Sequence, residues 1–164
     1  MKKIFALALA AIMALSATAT AFAAESTIKQ DSQNQSADTA VTFTVGPTYT
    51  VTIPTEVQLN ETVVNEVTTY ENDLSVKAEN VRLADNQKVQ VTLRSNFALT
   101  DTANPSNSLT YKVSVNGNDV IDQGVVAEFG TSTTQQTSVL HFAAGNPEFS
   151  GTYSGTVTFN IAIV

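Results

Sequence analysis

From Val41 onward, apolar and polar side chains alternate along most of the chain, the period of two that a strand shows when one face is buried. Val41, Phe43 and Val45 alternate with Thr42 and Thr44. After Gly46-Pro47 the pattern resumes, with Tyr49, Val51 and Ile53 set against Thr48, Thr50 and Thr52. Two strands or one bent strand are predicted over Val41 to Ile53, closed at Pro54, which has no amide proton to give a ladder. Val57 to Leu59 is a weaker segment. Asn60 to Asp73 is acidic and threonine-rich and holds Val63, Val64 and Val67 without a sustained period, which predicts a loop or an edge strand.

The same logic continues downstream. Leu74, Val76 and Ala78 share a face, Val81 and Leu83 resume it after Asn80, and Val89, Val91 and Leu93 form the next run beyond a turn at Asp85-Asn86. Thr100 to Ser108 reads as a loop. Leu109, Tyr111, Val113 and Val115 lead into Asn116-Gly117, a strong hairpin signal because both central residues of a type I′ turn take positive φ. Val120-Ile121 is the expected return strand, and Val125 to Phe129 and Val139 to Phe142 are further strands separated by a polar loop at Thr131 to Thr137. The last run, Gly155 to Val164, sets Val157, Phe159, Ile161 and Ile163 against Thr156, Thr158, Asn160 and Ala162.

About seven to nine short strands at a spacing of roughly 8–12 residues, with no helical period after the leader, predict an all-β fold: a single antiparallel Ig-like β-sandwich. The chain has no cysteine and no tryptophan. It therefore lacks the pin of antibody domains, and the likeness to them is one of architecture.

The first 23 residues have a different pattern. Lys2 and Lys3 precede an apolar run from Ile4 to Leu15, and Ala21-Phe22-Ala23 gives the small-x-small pattern of a signal-peptidase site. The run is too short for a helix that needs roughly 20 residues to cross a membrane. Cleavage and export are expected, as in a bacterial secreted protein, with no membrane insertion afterwards. Glu25 to Ala40 is rich in Ser, Gln, Asn, Asp and Thr and carries one large apolar residue, Ile28, too little to offset the entropy of ordering. The expected organisation is a signal peptide at 1–23, a flexible leader at 24–40 and a sandwich domain at 41–164. With no second apolar span and no sorting motif before Val164, the protein is expected to be released or held at the surface by other proteins.

Charge narrows the partners. Two of the eight basic residues lie in the signal, so six basic side chains face fifteen acidic ones, a net charge of −9. This disfavours nucleic acid and anionic lipid, both of which need a basic surface. The lack of cysteine removes thiol chemistry, zinc–thiolate sites and disulfides, so packing alone must hold the fold.

Two stretches, Val41 to Pro54 (VTFTVGPTYTVTIP) and Gly151 to Ile163 (GTYSGTVTFNIAI), resemble the opening and closing strands of small secreted proteins and extracellular modules of low-GC Gram-positive bacteria. The resemblance implies an Ig-like sandwich, often on surface proteins, and no particular chemistry. A looser analogy, resting on the order of leader, opening strand and strong terminal strand, is to fimbrial subunits in which an N-terminal strand completes a neighbouring sandwich.

Candidate chemistry is sparse. His141 is the only histidine, and its phase opposite Leu140 and Phe142 points it to solvent as an ordinary sheet-surface residue. A single histidine assembles neither a Ser-His-Asp triad nor a histidine-based metal site on any spacing present. Glu56, Glu61, Glu66 and Glu71 recur every five residues without the glycine and close packing of a calcium loop, and read as a solvated acidic edge that discourages mispairing. Lys77, Lys88 or Lys112 with Asn160 would suit a Lys–Asn isopeptide crosslink only if buried together, and Asn160 falls on the threonine face. Tyr49 and Tyr111 align with the core, whereas Tyr70 and Tyr153 are the candidate ligand contacts, suited to stacking on a sugar. No cofactor, metal or catalytic residue is called for. The expected protein is a secreted, non-enzymatic surface module of structural or adhesion type that works by strand addition, with a protein partner (self or cell-surface). A soluble glycan- or protein-binding module is the alternative, and a secreted hydrolase is the least favoured reading.

Overall fold

Eleven strands carry the alternation into a layered structure, and the computed structural model describes residues 41–164. The strands are β1 (Thr48–Thr52), β2 (Asn60–Val64), β3 (Val67–Arg82), β4 (Val89–Arg94), β5 (Ala98–Asp101), β6 (Ser108–Val115), β7 (Asn118–Asp119), β8 (Gly124–Phe129), β9 (Gln136–Gly145), β10 (Tyr153–Ser154) and β11 (Thr158–Ile163). No helix occurs among the described residues. The all-β, antiparallel expectation holds. The expected signal peptide and leader lie outside the described residues.

Eight strands form one sheet in the order β1-β3-β9-β6-β5-β10, with β2 also on β3 and β7 on β6; the other sheet is β11-β4-β8. All pairings are antiparallel, as short hairpin-type connections allow. The inward residues match the predicted phase. Leu74, Val76 and Ala78 of β3, Tyr111 and Val113 of β6, and Leu140, Phe142 and Ala144 of β9 face Val89, Val91 and Leu93 of β4 and Val126 and Phe129 of β8. Each fully buried valine or leucine contributes about 1.5–3 kcal/mol relative to exposure. With no disulfide available, this interior carries the stability.

A polar knot ties the sheets where β4 leaves the small one. The Ser95 hydroxyl meets the Tyr111 hydroxyl at 2.7 Å, donates to the Thr156 carbonyl at 3.2 Å and accepts the Phe97 amide at 3.1 Å. The Tyr111 ring stacks on Phe142 with centroids 6.1 Å apart and is tilted against Phe97 at 5.7 Å. Burial raises the Tyr111 phenol above the ordinary tyrosine value, partly opposed by the Ser95 hydrogen bond. Because the folded group holds its proton more tightly, its contribution is complete below the unfolded tyrosine value of about 10 and is lost as pH rises through the folded one. Tyr111→Phe is expected to lower stability by about 0.5–1.5 kcal/mol at neutral pH and to flatten the alkaline decline; urea melts at pH 7 and pH 11 read both.

Differences from the sequence reading have local causes. Val41 to Pro47 forms no strand, and the opening strand is confined to Thr48–Thr52. β1 runs antiparallel to β3 with Thr48 opposite Arg82, the last residue of β3, so residues 41–47 lie past the end of its only neighbour among the described residues. Asn60 to Asp73 resolves into the edge strand β2, a tight turn and the first part of β3. Asn65 and Glu66 both adopt positive φ, 50° and 66°, as in the expected turn at Asn116-Gly117 with 51° and 79°. Without a glycine this first turn gave no signal. β9 starts at Gln136, inside the stretch read as a loop.

Candidate interaction surfaces

The only histidine sits where its phase put it, on the outer face of the large sheet, but it has partners. β3 and β9 pair with Asp73 opposite His141 and Glu71 opposite Ala143, which sets both carboxylates beside the imidazole. Nδ1 lies 2.8 Å from Asp73 Oδ1 and Nε2 3.2 Å from Glu71 Oε2. These groups are all partly exposed to solvent, so the clamp is worth at most about 1 kcal/mol. Both ring nitrogens are engaged, and the carboxylates bracket the ring from opposite sides. Ser114 is paired opposite His141 on β6, but the ring nitrogens contact Glu71 and Asp73 rather than its hydroxyl.

The tyrosines proposed as ligand contacts do not come together. Tyr70 lies on β3, half-buried and packed against the core, with its hydroxyl 3.5 Å from Glu61 Oε2. Tyr153 lies on β10 and donates to the Phe149 carbonyl at 3.0 Å. Strands β9, β6 and β5 separate them. Two shallow clefts occur elsewhere. One, of about 380 Å³, opens where the seven residues 53–59 bulge opposite the five residues 72–76 of β3, and is lined by Pro54, Val57, Asn72, Asp73 and Lys77. The other, of about 400 Å³, lies between β8 and β9.

The crosslink partners are also apart from any apolar site. Asn160 is exposed on β11, and Lys88 pairs with Glu128 at 2.8 Å on the surface, which together with Gln90 holds the Glu128 carboxyl below the ordinary glutamate range. Asp101 is the one buried polar residue among the described residues. It caps its own loop, accepting the Ala103 amide at 3.0 Å.

What stands out on the surface of the described residues is unpaired strand edge and exposed apolar side chain. Val41 and Phe43 are 91% and 88% exposed, and Val45 is 53% exposed. Val63, Val64 and Val67, around the β2–β3 turn, are each about 60% exposed. β2 pairs with β3 on one side only, and β11 with β4 on one side only. The edge of β8 is blunted by side chains, since Ser138 Oγ donates to the Val126 carbonyl and Gln136 Nε2 to the Gly130 carbonyl, each at 2.7 Å.

No protein-family model matches the chain, and no curated protein matches it in sequence. Solved structures similar to it come from fimbrial and pilus assemblies. One is a chain of the chaperone–tip adhesin complex of CFA/I fimbriae, with a TM-score of 0.47 at 17% identity over 65% of this chain and 38% of that one. A second is the P pilus rod subunit PapA, with a TM-score of 0.45 at 13% identity over 58% and 81%. A third is a chain of the CsuC–CsuE chaperone–tip adhesion subunit complex from Csu pili of Acinetobacter baumannii, with a TM-score of 0.46 at 16% identity over 72% and 40%. The chain thus spans less than half the length of the first and third. The Gram-positive modules suggested by the terminal motifs have no counterpart among these three.

Proposed function

We propose that this is an exported, non-enzymatic module of the cell surface that engages its partner by strand addition through Val41 to Val45. The observation that carries the reading is a five-residue stretch of perfect alternation, with Phe43 and Val41 almost wholly exposed, joined through Gly46-Pro47 to a strand already in the sheet. Strand addition satisfies the main-chain donors and acceptors of such a stretch while burying alternate side chains. The pairing of β1 with its own β3 refines the expectation. Thr48–Thr52 is needed at home, and residues 41–47 are the ones without a ladder partner among the described residues.

Chemistry gives the competing readings less support. Among the described residues the ring nitrogens of His141 contact the carboxylates of Asp73 and Glu71 rather than a serine or threonine hydroxyl, and the separation of Tyr70 from Tyr153 leaves no shared aromatic platform for a sugar.

Fractionation of cells that express the full chain tests this reading. Deleting residues 41–47, which spares β1, is expected to move most of the processed protein from the surface fraction to the medium. Retention of the deletion variant at the surface, or a cytoplasmic location for the full chain, overturns it.

A further inference from the structure

We propose that the cleft between β1 and β2 is a binding site for a short peptide with both ends free, about three residues long, which lies alongside Ser75 of β3. The site uses a different part of the molecule from Val41 to Val45 and does not depend on the strand-addition reading.

It begins as a gap in a ladder. Along one edge of β3, β1 pairs as far as Thr52 opposite Lys77, and β2 starts at Asn60 opposite Glu71. Between those two pairs β3 has no strand beside it on that edge. In an antiparallel sheet the main-chain groups of successive residues turn to alternate sides. The Val113 carbonyl accepts the Val120 amide at 2.8 Å on the β7 side of β6, so Phe142, opposite Val113, turns its own groups to β3 and meets Asn72. Asp73 and Ser75 are then the residues whose N–H and C=O face the gap. Asn72 Oδ1 accepts the Asp73 amide at 2.8 Å. The Ser75 amide and the carbonyls of Ser75 and Asp73 have no main-chain partner among the described residues.

The sequence keeps the chain from closing this gap itself. Continued in the same register, β1 would set Pro54 opposite Ser75 and Glu56 opposite Asp73. Proline has no amide proton for the Ser75 carbonyl, and two carboxylates directly opposite each other repel. Residues 53–59 arch away instead. The cleft they leave, about 380 Å³, is of the size that small-ligand sites have, roughly 300–1,000 Å³.

Charge sets the class of ligand and its direction. Lys77 lines the cleft at the β1 end and makes no ion pair among the described residues, whereas Glu56 and Asp73 also line it, and Asp73 engages His141 through Oδ1. A tripeptide running parallel to β3 puts its ammonium group by Asp73 and its carboxylate by Lys77. The antiparallel direction sets like charge on like. In the parallel register the ammonium group donates to the Asp73 carbonyl, the first peptide carbonyl accepts the Ser75 amide, and the amide of the third residue donates to the Ser75 carbonyl. All three unpaired main-chain groups are used and both ends of the ligand find an opposite charge. The carboxylate must come at that point, because from Lys77 onward the edge is occupied by β1.

Titration of the chain without the expected signal peptide, residues 24–164, with Ala-Ala-Ala tests the site through amide chemical shifts. The free tripeptide is expected to shift the Ser75 and Lys77 signals and those of residues 55–59 saturably, with a Kd of about 0.1–10 mM. Acetylating its amine or amidating its carboxylate is expected to weaken binding at least about threefold in each case. Lys77→Ala is expected to weaken the free peptide by a similar factor and to leave the amidated one unchanged. Ser75→Ala keeps the main chain and is expected to change affinity by less than about twofold. Thermal melts confirm that each variant is folded. Shifts confined to another surface, equal binding of the free and the doubly blocked peptide, or no shift up to about 20 mM peptide overturns the inference. Surface retention through residues 41–47 stands or falls separately.

Discussion

Replacing Leu140 with alanine is expected to destabilise the domain by about 2–5 kcal/mol, read as a lower midpoint in urea with an unchanged slope. Leu140 has no exposed surface, and it lies on β9 between Leu74 of β3 and Val115 of β6, at the middle of the large sheet. Removing three carbon atoms there leaves a void bounded by strands on both sides and by the small sheet above. Those strands are fixed by their ladders, so the void cannot collapse. The neighbouring Val139 points outward and is about half exposed, so Val139→Ala is expected to change stability by under about 1 kcal/mol. Similar losses from the two substitutions would mean that β9 is not seated in this register.

Gly155→Val is expected to cost about 1–3 kcal/mol by a different route, crowding. Gly155 lies where the chain passes from β10 in the large sheet to β11 in the small one, directly over β5. A Cβ placed on it would sit 2.5 Å from the Ala98 carbonyl oxygen and 3.0 Å from a Leu99 methyl. The closer obstacle is backbone held by the β5–β6 ladder, so β11 must shift and its contacts through Val157 and Phe159 loosen. Gly145, where an added Cβ would meet nothing within 4 Å, gives the control. Gly145→Ala is expected to be neutral or to stabilise by up to about 1 kcal/mol through the unfolded chain. Equal effects at the two glycines in thermal melts would show that the crossing is not tightly packed.

Much of the interior was legible because its signal is local. Val89, Val91 and Leu93, or Leu140 and Phe142, alternate with polar neighbours, and a strand puts alternate side chains on opposite faces whatever it pairs with. The turn at Asn116-Gly117 was legible for the same reason, since the residues themselves favour positive φ. The hairpin at Asn65-Glu66 was not, because glutamate has no such preference; there the pairing of β2 with β3 imposes the conformation. The phase of His141 was readable, but its clamp was not, because Asp73 and Glu71 reach it through a register between strands nearly seventy residues apart in sequence. The same holds for the separation of Tyr70 and Tyr153, which strand order decides.

The sequence by itself determined that the fold is all-β, which side of each strand is apolar, and that no covalent crosslink through cysteine holds the strands, since these depend on side-chain type and a period of two. Only the tertiary structure decided which strands have neighbours. Val41 to Val45 and Tyr49 to Ile53 carry the same alternating pattern, yet Thr48–Thr52 is paired and the five residues from Val41 have no ladder partner among the described residues, because β3 ends at Arg82 and a strand without a partner cannot satisfy its backbone however well its side chains alternate.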